Sequence, residues 1–282
     1  MRIVAFFLSL LALVAQPAAA AGASSGALGS LEQQLNYLVA GKSADVGIAA
    51  LDLNTGETVS IKGNTPFPMA STVKVAVAAL YLAQVDHGRR SLDDTIGGVS
   101  ARSLMNRMLI HSDNRATDML IRDLGGPSRL NAWLKENGVE GLRVDRTIAQ
   151  LLADKRDLWD RRDSSTPMAM VDLLGRIYKA ELITPKSRNY LLDVMAQCAT
   201  GRNRMKALLP MGTPVEHKTG TLNGYASDVG FISLPDGRRV AVAIFARGGA
   251  DRPRTIAETA RAIYDGFRTV FTWPLRPALT AQ

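Results

Sequence analysis

Hydrophobic and polar positions along the chain fall into three regimes. After Met1 and Arg2 an apolar run over residues 3–14 leads to the small residues Ala18-Ala19-Ala20. One early positive charge, a short apolar core and small residues at its end describe a secretory signal peptide over residues 1–20, and such a chain is expected in the periplasm or secreted. The run is too short for a membrane anchor, and no later stretch approaches the roughly twenty apolar residues that a span requires. A polar helix is expected over residues 30–40. Residues 45–52 then alternate as a half-buried strand does, Asn54-Thr55-Gly56 is turn chemistry, and residues 57–62 read as the returning strand of a hairpin.

From Met69 the period changes to that of helices. Helices are expected over residues 101–110, over 115–124 ending at Gly125-Gly126-Pro127, and over 128–137 ending at Gly138. Thr166-Pro167 opens another that runs to residue 180, and residues 186–198 form the next. Strand patterns return over 215–219, 229–234 and 239–245, with Pro235-Asp236-Gly237 as a turn, before a closing helix over 254–271. This order predicts an α/β (α+β) fold. Residues 25–62 and 213–282 supply an antiparallel sheet flanked by helices, and residues 63–212 form an inserted all-helical lobe. A cleft between the two is where a site is expected.

Composition narrows the partners. The chain has 282 residues and a formal net charge of +8; loss of residues 1–20 removes only Arg2 among the charged groups, leaving 8 − 1 = +7. Basic residues are scattered in pairs such as Arg89-Arg90 and Arg161-Arg162, which argues against nucleic acid and for small anionic ligands. Cys198 is the only cysteine, so no intramolecular disulfide and no cysteine zinc site can form. His87, His111 and His217 lack metal-ligand spacing, and neither a metal nor any other cofactor is expected. The protein is expected to act as a monomer on a small molecule.

The candidate chemistry begins at Pro66-Phe67-Pro68-Met69-Ala70-Ser71-Thr72-Val73-Lys74. The two prolines hold the approach extended, and no helix breaker follows until Gly88, so Ser71 is expected in the first turn of a long buried helix. Three residues along a helix return to nearly the same face, which puts the Lys74 amine beside the Ser71 hydroxyl. A buried lysine loses part of its preference for charge and can act as a base, while the helix start offers unpaired N–H groups to an oxyanion. Such a pair arises by chance roughly once in every two chains of this kind, so it needs company. The company is Ser112-Asp113-Asn114, in a turn between helices, and Lys218-Thr219-Gly220-Thr221, on a strand at the cleft edge.

These three motifs in this order, in an exported chain of this length, resemble the class A serine β-lactamases and, through them, the penicillin-binding proteins. The resemblance covers nearly all of the mature chain, and residues 212–221 are especially similar to one branch of the class A enzymes. It implies that Ser71 is the acylated nucleophile, Lys74 its proton acceptor and Ser112 a relay to the leaving nitrogen. Asn114 would hold the substrate side-chain amide. Lys218, Thr219 and Thr221 would bind the substrate carboxylate, and the N–H groups of Ser71 and Thr221 would form the oxyanion hole. Gly220 fits a strand that must approach a substrate backbone closely. Many members carry an arginine where this chain has Ser227; Arg204 matches an alternative placement, and Arg252 is a second candidate.

Departures from the family pattern matter as much. The glutamate and asparagine that position and activate the deacylating water are replaced by Ile148 and Leu152, and no glutamate occurs over residues 141–180. Arg146 and Asp163 match the pair that closes this loop, whose middle is slightly longer than usual, leaving Asp154 or Asp157 as substitutes. The segment between Lys74 and Ser112 is shorter than in the family and lacks a loop that walls the cleft. The expected activity is therefore opening of a β-lactam amide through a Ser71 acyl-enzyme with slow or unusual deacylation. The alternatives are a D-Ala-D-Ala carboxypeptidase or peptidoglycan amidohydrolase, and a penicillin-binding sensor without turnover.

Overall fold

The computed structural model describes residues 18–155 and 157–270, so most of the expected signal peptide lies outside the described residues. Helix α1 spans Ala18–Ala40 and precedes the hairpin of β1 (Asp45–Asp52) and β2 (Thr58–Ile61). Its turn is fixed by Asp52, whose carboxylate accepts the N–H groups of Asn54 at 2.8 Å and Thr55 at 3.2 Å. Next come β3 (Phe67–Pro68), a 3₁₀ turn at Ala70–Val73 and α2 (Lys74–Asp86). A small hairpin of β4 (Thr95–Ile96) and β5 (Val99–Ser100) leads to α3 (Ala101–Ile110), α4 (Asn114–Asp123) and α5 (Gly126–Glu136). Then β6 (Leu142–Arg143), α6 (Ile148–Ala153), β7 (Ser164–Ser165), α7 (Pro167–Tyr178) and α8 (Pro185–Ala196) complete the middle region. The chain returns through β8 (Val215–Leu222), β9 (Tyr225–Ser233) and β10 (Arg239–Arg247) to α9 (Arg252–Val270).

The five long strands form one antiparallel sheet in the order β2-β1-β10-β9-β8. One face buries Ile48, Val242 and Ile244 against Leu31 and Leu35 of α1 and Ile263 and Phe267 of α9. The other face buries Ala49, Val229, Phe231 and Phe245 against the helical region. Sheet and helices therefore share a core, and each fully buried Leu, Val or Phe in it contributes roughly 1.5–3 kcal/mol. Helix α2 is its axis: Lys74 through Ala83 are all buried, as an apolar run without a polar face requires.

The middle region differs from the all-helical expectation. Two-residue strands β3, β7 and β6 pair into a small sheet, with Phe67 opposite Ser165 and Leu142 opposite Ser165 on its other side. Strands this short leave no periodic pattern to read. Their effect is positional, because β3 and β7 clamp the chain just before Ser71. Helix α6 is likewise too short to leave a helical period in the sequence; Thr147 caps it and exchanges a reciprocal bond pair with Gln150.

Candidate active site

The nucleophile candidate lies on the 3₁₀ turn rather than in the first turn of an α-helix. The Lys74 N–H is bonded to the carbonyls of Ser71 and Thr72, and with three residues per turn the side chains of Ser71 and Lys74 eclipse one another. Ala70, immediately before Ser71, has φ +49°, a left-handed value that a residue with a Cβ adopts at a cost. Three contacts hold that conformation in place. The Met69 N–H donates to the Asp163 carbonyl at 2.9 Å, the Tyr225 hydroxyl donates to the Pro68 carbonyl, and the Thr72 hydroxyl donates to the Met69 carbonyl at 2.7 Å.

Ser112 is likewise left-handed, at φ +59°. Its turn is braced by Asp113, which caps α4 through the Ala116 N–H at 2.9 Å and takes the Arg107 guanidinium at 2.9 Å. The strained turn aims both the carbonyl and the hydroxyl of Ser112 at Lys74. The Lys74 ammonium, fully buried, donates to the Ser112 carbonyl at 2.7 Å, to Asn114 Oδ1 at 2.8 Å and to Ser112 Oγ at 3.1 Å. Burial, reinforced by the positive charge of Lys218, lowers its pKa to about 7, against the opposing pull of Asp113 and Asp118.

Lys218 reaches the same hydroxyl from the opposite side. Its Nζ donates to Ser112 Oγ at 3.0 Å and to the Thr219 carbonyl at 2.9 Å. Burial lowers its pKa to about 8; Cys198 and Asp228 resist that fall and Arg204 assists it. Strand β8 is an edge strand, so alternate backbone groups along it have no partner strand and face the nucleophile turn. It extends past the expected end, pairing Gly220 with Ser227 and Thr221 with Ala226. A Cβ on Gly220 would lie 2.7 Å from the Met69 carbonyl and collide with Ser227 Oγ. Glycine is thus required where β8 meets the chain leading to Ser71.

Arg204 is buried behind this strand. Its guanidinium donates to the carbonyls of Gly220 at 2.8 Å and Ser227 at 3.0 Å and to Thr221 Oγ1 at 2.7 Å. It therefore braces β8 at Gly220 and Thr221 and fills the space beside Ser227. Arg252 does not: its guanidinium donates to the carbonyls of Gly248 and Gly249 at the start of α9.

The loop between Arg146 and Asp163 closes as expected. The Asp163 carboxylate accepts the N–H groups of Asp145 at 2.7 Å and Arg146 at 3.0 Å and the Arg146 Nε at 2.6 Å. Ile148 is buried in the main core, and its N–H and that of Ala149 donate to Asp118 at 2.7 Å and 2.9 Å. Asp118 is a positioning residue that motif reading missed, because a lone aspartate inside a helix carries no local signature. Leu152 is 48% exposed, turned to solvent. Asp154 is engaged by Arg146 at 2.6 Å, and that bond holds its carboxyl below the usual range, a poor setting for a base. Asp157 lines a cavity of about 20 Å³ together with Pro68, Ala70, Leu151, Asp163 and Leu222, room for about one water. Among the described residues no cluster of His, Cys, Asp or Glu is arranged to hold a metal, and no helix is long and apolar enough to cross a membrane.

Residues 30–267 match the model of the β-lactamase enzyme family. The chain is 32% identical to the extended-spectrum β-lactamase PER-1 of Pseudomonas aeruginosa, over 83% of this chain and 86% of that protein. It is 28% identical to β-lactamase VEB-1 of the same organism, over 77% and 82%. Among solved structures, an ancestral class A β-lactamase superposes with a TM-score of 0.80 at 31% identity, covering 84% of this chain and all of that one.

Proposed function

The chain belongs to the β-lactamase enzyme family, and from that premise we propose that it opens β-lactam amides by transferring the acyl group to Ser71, with slow release. The observation that carries this reading is the convergence of Lys74 and Lys218 on one hydroxyl, Ser112 Oγ. As an ammonium, Lys74 gives its three protons to three acceptors. As a free amine it has two protons and a lone pair. The longest of the three bonds, to Ser112 Oγ, is the one to give up, and the lone pair then accepts the Ser71 proton as Ser71 attacks the amide carbon. With a pKa of about 7 the amine is free in a large fraction of molecules at neutral pH.

Ser112 passes a proton to the amide nitrogen as the C–N bond breaks. It is suited to this because it sits between two amines, one able to resupply the proton and the other holding positive charge beside it below about pH 8. Backbone N–H groups of Ser71 and Thr221 receive the oxyanion. The substrate carboxylate is met by Lys218, Thr219 and Thr221, with Arg204 orienting the Thr221 hydroxyl, and Asn114 binds the substrate amide.

Hydrolysis of the acyl-enzyme is the weak step. With Ile148 and Leu152 where the family carries its base and its partner, the loop carboxylate that supports an alternative is Asp157, which lines a one-water cavity beside Pro68 and Ala70 and accepts the Trp159 N–H at 2.9 Å. A missing general base costs about 10²- to 10⁴-fold. Quenching the protein with a penicillin and measuring intact mass tests the proposal: an adduct on Ser71 is expected, and neither adduct nor turnover would refute it. Release of D-alanine from a muropeptide would select the carboxypeptidase reading, and an adduct that never releases product would select the sensor. We further propose export with loss of residues 1–20 and a monomeric state, checked by N-terminal sequencing of the secreted protein and by light scattering.

A further inference from the structure

Behind the strand that carries Lys218 lies a chain of groups that the acyl-transfer scheme leaves unused. His217 on β8 donates Nδ1–H to Asp228 on β9 at 2.8 Å, and the second Asp228 oxygen accepts the Met205 N–H at 3.2 Å. His217 is 1% exposed, and its other nitrogen, Nε2, is buried without a hydrogen-bond partner. Cys198, 8% exposed and just past the end of α8, lies on the same side of β8 as this ring, because its sulfur reaches Thr219 through Thr200 and Thr219 shares a strand face with His217. Its sulfur lies 3.3 Å from Thr200 Oγ1, and that hydroxyl shares a 2.6 Å bond with Thr219 Oγ1. The sulfur is thus two hydrogen bonds away from a hydroxyl expected to hold the substrate carboxylate.

Charge balance gives this arrangement a direction. Lys218, Arg204 and a protonated His217 are three buried cations around one carboxylate, Asp228. The other buried carboxylate on the strand, Glu216, is occupied by Arg239 at 2.8 Å. A thiolate supplies a missing anion. Burial alone would push the thiol up, but His217, Thr200 and the Lys218 charge bring it down to about 6. Burial likewise opposes charge on the imidazole, which Asp228 and Cys198 raise to about 9. A buried cysteine in apolar surroundings is inert; one facing an imidazolium is a nucleophile.

We propose that Cys198 is a modification site, a thiolate paired with the His217 imidazolium that exchanges with small disulfides and thiosulfonates, and that its modification loosens the carboxylate end of the substrate site through Thr200 and Thr219. The thiolate attacks one sulfur of the reagent, a new S–S bond forms, and the other half leaves with the bonding pair as a thiolate or sulfinate. No proton moves, and the imidazolium is left beside a neutral disulfide. The added group takes the space of Thr200 and breaks its bond to Thr219. Only this consequence rests on the proposed hydrolase reading; the reactivity of Cys198 does not.

The probe is methyl methanethiosulfonate on the native protein, read by intact mass at short times across a pH series. One methylthio group on Cys198 is expected, at a rate that rises through about pH 6, while Cys198→Ser gains none. His217→Asn should slow the reaction at about pH 7 by about tenfold or more. A midpoint near the ordinary thiol value of about 8.5, or modification no faster than unfolding, would overturn the site. In a second arm, penicillin acylation of Ser71 should slow severalfold after modification, recover with a reducing agent and be indifferent to the reagent in Cys198→Ser. Unchanged acylation after complete modification would overturn the coupling. Should the untreated protein take no penicillin, the hydrolase reading fails while the mass shift at Cys198 still decides the site.

Discussion

Lys74 and Lys218 meet at a single hydroxyl, their Nζ atoms 3.1 Å and 3.0 Å from Ser112 Oγ. Two buried ammonium groups so placed depress one another, and the pair rather than either residue sets the pH response. In the proposed scheme acylation needs Lys74 neutral, so its rate should rise with pH through about 7; it needs Lys218 charged, so the rate should fall as pH passes about 8. The expected profile of acylation against pH is a narrow bell. Lys218→Met removes the repulsion that holds Lys74 down, so its acid limb should move to higher pH. A limb that stays in place or moves down would show that Lys218 does not act on Lys74.

Gly220 and Met69 predict a steric outcome. A Cβ at Gly220 would stand 2.7 Å from the Met69 carbonyl, two residues before Ser71. Gly220→Ala should push the strand away from the nucleophile turn. A displacement of about 1 Å can cost about 10²-fold in rate, and a loss of that order in the acylation rate constant is expected, together with a loss of about 1–3 kcal/mol of stability from the overpacking.

Arg204 predicts a loss selective for anionic ligands. Arg204→Ala removes the donor that orients Thr221 Oγ1 and the guanidinium bonds to the Gly220 and Ser227 carbonyls. Charge-assisted bonds of this kind are worth about 1.5–3 kcal/mol, so KM for a penicillin should rise about tenfold or more. An ester analogue lacking the carboxylate should be affected far less, and equal effects on both would contradict the assignment.

Asp163 joins two functions through one residue. Its carboxylate closes the loop on Arg146 and its carbonyl holds the Met69 N–H. Removing one member of a buried ion pair costs about 3–5 kcal/mol. Asp163→Ala should lower denaturant stability by about that amount and slow acylation as well, a coupling that calorimetry and adduct formation measure on the same sample.

Most long elements were legible before any coordinates. The hairpin turn, the helix over residues 101–110 and the three returning strands announce themselves by period and by turn residues, and the three motifs could be placed on them. What the sequence hid was non-local. The two-residue strands β3, β6 and β7 have no period. The left-handed backbone of Ala70 and Ser112 falls at residues that normally avoid it. Asp118 gains its role only when α4 and α6 pack together, and Cys198 only when α8 lies against β8. The choice between Arg204 and Arg252 likewise had to wait for three dimensions.

Ile148→Glu tests the account of the slow step. The residue is buried beside Asp118, so the new carboxylate should lower stability and titrate high, a property a general base can use. Deacylation should accelerate by about 10²-fold or more with acylation nearly unchanged. Asp157→Asn in the native background should slow release further, if the carboxylate beside the one-water cavity serves in place of the missing glutamate.

Rapid mixing with a chromogenic cephalosporin reads the central claim most directly. Convergence of Lys74 and Lys218 on Ser112, beside the turn that carries Ser71 and in a site without the loop glutamate, predicts a burst of one product equivalent per protein molecule, then a slow steady rate, with the burst abolished in Ser71→Ala. A linear trace from the first turnover with no acyl-enzyme, or a burst that survives Ser71→Ala, would contradict it.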